Sequence, residues 1–308
     1  MQISVALATY NGERYLQELL DSIAKQTRLP DELIAYDDAS SDQTMAILEK
    51  FSRSVPFSVH IEQNPQNVGS TRNFEKAIRN CSGDVIALCD QDDYWRPEKL
   101  ALIEETLEAN PEKGLVFSDA GLVDDHLHSL NKTMWEHIGL VASLQARIQT
   151  PEAFSMLLKR RYVTGATMAF RASFRDGVLP ISPHWVHDGW ISINIAAHST
   201  FALIPRPLIQ YRQHAANQKR PTEQPRFCRR SKTRSSTGKY VPRSMPRPWN
   251  AFERLSANSE MVVTRSTLCA RCGQQSEIYY IWLFWCLTIN LPANNATLFS
   301  KHDSKEYS

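Results

Sequence analysis

The stretch GDVIALCDQDDYW, residues 83–95, decides the fold. Asp84–Cys89 is a short apolar run without polar alternation, which suits a strand buried on both faces of a parallel sheet. It breaks into Asp90-Gln91-Asp92-Asp93, and a helix is predicted after Pro97, a residue suited to a first helical position. Upstream, the same strand–polar end–helix unit recurs. Ile3–Ala8 predicts a strand that ends in Thr9-Tyr10-Asn11-Gly12, and Tyr15, Leu16, Leu19, Leu20 and Ile23 then recur at helical spacing. Glu32–Tyr36 predicts a second strand that ends in Asp37-Asp38. Ser40 and Gln43 have capping-box spacing for a helix running to about Phe51. Phe57–Gln63 is a third strand, Asn67-Val68-Gly69 a turn, and Arg72 to Asn80 helical. Strands separated by helices imply crossovers and an α/β architecture, an α/β/α sandwich around a mostly parallel central sheet.

Downstream of Asp119 the pattern blurs. Residues 151–159 and His187–His198 read as helical and Gly165–Arg171 as strand-like, with Phe201–Ile204 and Leu208–Arg212 as two closing strands. After about residue 219 the character changes. Residues 1–219 carry 21 basic and 27 acidic side chains, whereas residues 220–308 carry 14 and 6. Pro221–Pro248 is rich in Arg, Ser and Pro, as linkers and disordered segments are. Ile278–Leu291 is an apolar and aromatic run, shorter than the roughly 20 residues of a membrane span. Two domains are therefore expected: residues 1–219 as the α/β domain, and 220–308 as a basic, irregular tail. A shifted reading frame and a membrane-associating segment both produce such a composition.

The whole chain, 308 residues with a net charge of +2, 42% apolar and 22% charged, has ordinary globular composition. That excludes collagenous, wholly disordered, multi-span membrane and disulfide-dense classes. The acidic first part has no excess positive charge for tracking a phosphate backbone, so no nucleic-acid partner is expected. Six scattered cysteines do not make a disulfide framework. Cys81 and Cys89 read as small core hydrophobes, and the lone Cys269–Cys272 pair lacks the second pair that a structural zinc site needs. The first residues show no secretory pattern, and the unpaired thiols suit a reducing compartment.

In an open parallel sheet, ligands bind beyond the carboxyl ends of the strands. The polar ends at Thr9–Gly12, Asp37-Asp38 and Asp90–Asp93 then share one crevice if their strands are neighbours. Three carboxylates within four residues repel one another, and a hard divalent cation, Mg²⁺ or Mn²⁺, relieves that repulsion. Solvated caps are the plain alternative. No GxGxxG follows the first strand and no GxxxxGK[ST] occurs, against a dinucleotide dehydrogenase and a P-loop NTPase.

With SVALATYNG, YDDASSD, NVGSTRNFEKAI and GDVIALCDQDDYW in this order, the sequence resembles the nucleotide-sugar-binding half of family 2 glycosyltransferases of the GT-A fold. VTGATMAF, HDGW and QYRQHAANQ resemble the acceptor half of a bacterial branch that includes rhamnosyltransferases. The resemblance implies that Thr9, Tyr10 and Asn11 line a nucleotide pocket, that Asp38 meets the base, and that Arg72 lies near the nucleotide. It places Asp90 by the ribose and sugar and Asp92 on a metal ion, with Asp93 leaving that register open by one residue. It puts Gly165 in a turn that lets the backbone approach the sugar, Asp188 as catalytic base, and His214 as a further metal ligand. It implies an inverting transfer of a sugar, rhamnose by preference, from a nucleoside diphosphate to a saccharide or lipid-linked acceptor. The setting would be surface-polysaccharide or O-antigen synthesis, in the cytoplasm or at the inner face of the plasma membrane, with peripheral membrane contact.

Alternatives stay open at single residues. Asp188 equally suits a helix cap, and Trp95, Trp185 and Trp190 suit either sugar stacking or core packing. A sugar-phosphate nucleotidyltransferase would also use parallel strands and metal-binding aspartates, but a Gly-rich basic loop is expected after its first strand. A degenerate nucleotide-sugar-binding protein is the non-enzyme alternative.

Overall fold

The computed structural model describes residues 1–214. The expected tail at 220–308, its four cysteines, the Ile278–Leu291 run and the end of the QYRQHAANQ motif lie outside the described residues. Among the described residues nine strands form one sheet: β1 (Ile3–Thr9), β2 (Glu32–Asp37), β3 (Ser58–Gln63), β4 (Val85–Asp90), β5 (Tyr94–Trp95), β6 (Lys113–Val123), β7 (Ser129–Thr133), β8 (Met168–Arg171) and β9 (Thr200–Arg212). The helices are α1 (Leu16–Ala24), α2 (Thr44–Ser52), α3 (Ser70–Asn80), α4 (Lys99–Ala109), α5 (Met134–Ile138), α6 (Ala142–Ile148), α7 (Glu152–Leu157), α8 (Arg175–Val178) and α9 (His187–Ala196). Strands run in the order β3-β2-β1-β4-β8-β6-β9-β5, with β7 beside β6.

The first four strands are parallel, as the alternation of strand and helix patterns requires. β1 lies between β2 and β4, and its register pairs Ala8 with Asp90 and Thr9 with Asp37. The three polar ends therefore meet within one residue of each other. Ile3, Val5, Leu7, Val85, Ile86, Leu88 and Cys89 are fully buried, which is why these strands are apolar on both faces. Cys81 and Cys89 are core residues, and burial pushes the Cys81 thiol up to about 12.

Beyond β4 the sheet becomes mixed. β8 is antiparallel to both β4 and β6, while β6 and β9 are parallel. Three details differ from the sequence expectations. The two closing strands are one strand, Thr200–Arg212, whose register against β6 shifts around Pro207, so a proline that cannot donate to the ladder bends the strand without ending it. Gly165–Thr167 is a turn of 3₁₀ helix before β8, closed by the Thr167 amide and hydroxyl on the Thr164 carbonyl at 3.0 and 2.8 Å. The Ser40/Gln43 capping box does not form. α2 begins at Thr44, whose amide donates to Asp42 at 3.0 Å, because the Ser40 hydroxyl is taken by Asp37.

Trp95 is fully buried in the core, whereas Trp185 and Trp190 are half-buried and meet edge to face at 6.3 Å. Among the described residues no helix is long and apolar enough to cross a membrane. Arg171 at the end of β8 closes the carboxyl end of α4, donating to the carbonyls of Leu107 at 2.7 Å and Lys113 at 2.9 Å. The Leu107 carbonyl also accepts from the Asn110 amide at 3.3 Å, and a cation there meets the negative end of the helix dipole. Arg171→Met should therefore destabilise the protein by about 1–3 kcal/mol, read as a lower urea midpoint with an unchanged slope.

Candidate functional site

The polar end of β2 is ordered by carboxylates that accept from backbone. At the end of β2, Asp37 is fully buried and accepts from the Thr9 hydroxyl at 2.9 Å, the Ser40 amide at 2.8 Å and Gln63 at 3.0 Å. Asp38, only 2% exposed, accepts from the amides of Val68 and Gly69, both at 2.8 Å, and from the Asn64 carboxamide at 2.9 Å. It thereby holds the turn before α3, where Gly69 at φ 85° adopts a conformation that favours glycine. Asn73 of α3 donates to the Tyr36 carbonyl at 2.6 Å and the Thr9 carbonyl at 3.3 Å, and accepts from Asn64 at 2.9 Å. A buried amide network thus fixes the ends of β1 and β2.

Tyr10 is 47% exposed and Asn11 lies beside it at φ 45°. The Asn11 amide donates to the Ser40 hydroxyl at 2.8 Å, and its side-chain oxygen accepts from the Ser41 amide at 3.0 Å. Thr9 is buried and its hydroxyl is engaged with Asp37, so of the three residues expected to line a nucleotide pocket, Tyr10 and Asn11 are the open ones. Arg72 is ion-paired to Glu75, which also accepts from Arg79 and from the Ile181 amide.

The acidic loop after β4 is built around repulsion. Burial, with Asp92 and Asp188 nearby, pushes the Asp90 carboxyl up to about 7. Burial also drives Asp93 well above the ordinary carboxylate range, reinforced by Asp92 and Asp90. Two cations offset this from within the protein. Lys99, fully buried at the start of α4, donates to the Ala166 carbonyl at 2.9 Å and stands 3.4 Å above the Trp95 ring. Desolvation brings its ammonium down to about 8, against the pull of Cys89, Asp93 and Asp90. Arg212, its side chain 1% exposed, donates to the Asp92 carbonyl at 2.8 Å, to Glu18 at 2.6 Å and to the Asp125 carbonyl, and lies over the Tyr15 ring. Its own amide donates to Asp93 at 3.2 Å.

Two residues beyond Arg212, His214 Nε2 meets Asp92 Oδ2 at 2.8 Å. The structure thus joins the two residues expected to bind metal, although 122 positions separate them in sequence. Among the described residues, no three His, Cys, Asp or Glu side chains form a ready-made metal site. A cation such as Mg²⁺ or Mn²⁺ keeps waters and uses one or two carboxylates together with substrate phosphates. The Asp92–His214 pair, with the buried and unpartnered Oδ2 of Asp93 in the same loop as Asp92, fits that requirement.

Asp188 lies in the first turn of α9, and its Oδ1 accepts from the Gly189 amide at 2.6 Å. It is close enough to Asp90 to raise that carboxyl, which brings α9 to the same crevice. Gly165 has a neighbour that the sequence did not disclose. A Cβ there would stand 2.7 Å from Nε2 of His187, which stacks on Phe74 at 4.1 Å. Its bare backbone makes room for that imidazole. Gln91, Asn73, Lys99 and Arg212 were missed by sequence reasoning, because partners from distant segments give them their roles.

The family model for glycosyl transferase family 2 matches residues 4–174, more than half of the chain. The chain belongs to this family. The family match stops before Asp188 and His214. An uncharacterised protein of Mycobacterium tuberculosis is 30% identical over 226 residues, covering 69% of this chain and 59% of that protein. Staphylococcus aureus TarS, a poly(ribitol-phosphate) β-N-acetylglucosaminyltransferase, is 38% identical over 103 residues, 32% of this chain and 18% of its own. Its structure in complex with UDP-GlcNAc has a TM-score of 0.54 at 21% identity, covering 70% of this chain and 59% of that one. The mannosyltransferase PcManGT of Pyrobaculum calidifontis, solved with GDP-Man and Mn²⁺, has a TM-score of 0.53 at 19% identity, covering 68% and 56%. These neighbours carry the GT-A fold that the family 2 chain shares. The chain spans about 59% of the length of the first curated relatives it matches.

The position of Asp38 in this family 2 domain generates a test. Asp38→Ala leaves two partly buried backbone amides without their acceptor and should cost about 1–3 kcal/mol. A lower melting temperature is expected in differential scanning calorimetry. An unchanged melting temperature would show that the freed amides find other acceptors at no cost.

Proposed function

We propose that this family 2 chain transfers a sugar from a nucleoside diphosphate to an acceptor hydroxyl, with inversion at the anomeric carbon. The observation that carries the reading is the convergence of the Asp92–His214 pair, Asp90 and Asp188 at the carboxyl ends of β1, β2 and β4. In this reading the Tyr10–Asn11 loop receives the nucleoside, the loop held by Asp38 borders the base, Arg72 lies near the nucleotide, and Asp90 faces the ribose and sugar. Gly165 and the turn it opens lie on the sugar side.

Asp92 and His214 would hold Mn²⁺ or Mg²⁺, which supplies positive charge against the diphosphate leaving group. The nucleotide sugars bound in the two solved neighbours, and the Mn²⁺ of one of them, support this assignment. Asp188 accepts the proton of the acceptor hydroxyl as its oxygen bonds to the anomeric carbon. The bond from that carbon to the diphosphate oxygen breaks, and the diphosphate leaves with the electron pair. The relative that glycosylates poly(ribitol-phosphate) supports a role in surface-polymer synthesis, and a saccharide or lipid-linked acceptor belongs to the same reading. A cytoplasmic site, at the inner face of the membrane with peripheral contact, belongs to the same reading. Among donors, the branch resemblance favours a deoxyhexose such as rhamnose.

A thermal-shift panel of UDP-, GDP- and dTDP-sugars tests the donor and the metal together. One diphosphate sugar should raise the melting temperature by several degrees in Mn²⁺, because it binds only the folded state, and excess EDTA should abolish the shift. An equal shift in EDTA would refute the metal assignment, and no shift from any of them would refute the donor class.

Asp188→Asn tests the base. Asparagine can still accept from the Gly189 amide, but it cannot take the proton. Turnover should fall roughly 10²–10⁴-fold, while donor affinity and melting temperature stay close to those of the parent. Near-normal turnover would remove Asp188 from the mechanism.

A further inference from the structure

Gln91 stands between the two aspartates of the acidic loop that the proposed function uses, yet its carboxamide is committed to another loop. Its Oε1 accepts from the Tyr10 amide at 2.8 Å, and its Nε2 donates to the Tyr10 carbonyl at 2.9 Å. The backbone ladder between β1 and β4 has its last register at Ala8 and Asp90. The Gln91 side chain supplies one more rung, in which an amide group pairs with a peptide group as a neighbouring strand would. Gly12 closes around it. A Cβ at that position would stand 2.5 Å from Gln91 Oε1 and 2.8 Å from its Cδ. The opposite flank of the loop is fixed to the segment before and at the start of α2, where the Asn11 amide donates to Ser40 and the Gly12 amide to the Thr44 hydroxyl, both at 2.8 Å.

We propose that Gln91 is a positioning residue that locks the Thr9–Gly12 loop to the acidic loop, so that the nucleoside side and the metal side of the donor site move as one body. The identity of what the loops bind rests on the function proposed above; the lock itself does not. A loop ordered before the ligand arrives does not lose that freedom on binding, so the lock contributes to donor affinity without touching the donor.

Three variants of the full chain test this: Gln91→Ala, Gly12→Ala and the double. The atoms nearest the methyl of Gly12→Ala are the far end of the flexible Gln91 side chain, so that variant folds with the amide displaced. Hydrogen exchange at the Tyr10 amide, read without ligand, should quicken about tenfold in Gln91→Ala. The affinity for whichever of UDP, GDP or dTDP the parent binds in Mn²⁺ should fall about tenfold in each single variant. The double variant should be no weaker than either single one, because both break the same contact. Melting temperatures should stay close to that of the parent. Unchanged exchange in Gln91→Ala would overturn the lock. So would losses that multiply to about a hundredfold in the double variant, or a lowered melting temperature with intact affinity. If the parent binds none of the three nucleotides, the donor reading fails while the exchange comparison still decides the lock.

Discussion

Everything at this site depends on the position of β1 between β2 and β4. A central parallel strand has no freedom to slip, because a shift of one residue would turn each buried apolar side chain to the wrong face. The register that pairs Ala8 with Asp90 and Thr9 with Asp37 is therefore enforced by the core. The polar chemistry borrows its precision from Ile3, Val5, Leu7 and Leu88, none of which reaches the crevice. Loops that follow such strands start from fixed points, and short hydrogen bonds then suffice to shape them.

A second constraint is charge. The acidic loop places Asp90, Asp92 and Asp93 around one turn, and Asp188 adds to the same field. The protein answers from behind, with Lys99 under the loop and Arg212 through its carbonyl and amide contacts. Both cations are buried, and each is held by several partners, as buried charges must be. Balancing the loop from the core leaves the Asp92 carboxylate to meet His214.

Much of the fold was legible in the sequence because parallel strands and amphipathic helices write themselves as local periodicity. The first four strands, α1 to α4 and the polar strand ends all follow from runs of fewer than a dozen residues. The meeting of Asp92 and His214 was legible only through the family resemblance, since nothing local relates residues so far apart. The 3₁₀ turn at Gly165, the single bent strand β9 and the failed capping box were not legible. In each, a tertiary partner outbids the local signal: β6 carries β9 past Pro207, and Asp37 takes the Ser40 hydroxyl from the helix. β6 itself left no clear trace in the pattern, although its buried residues make it a central strand. Gln91 and Asn73 look like ordinary polar residues until the backbone they serve is seen in space.

The imidazole of His187 occupies space that a side chain at position 165 would claim, and stacks on Phe74 of α3. Residues 165 and 187 therefore share one fixed volume. Closely packed interiors tolerate exchange of bulk between neighbours better than its addition. Among homologous chains, a side chain gained at the first position should accompany a smaller residue at the second, and α9, which carries Asp188, would be the element that shifts wherever the trade is incomplete.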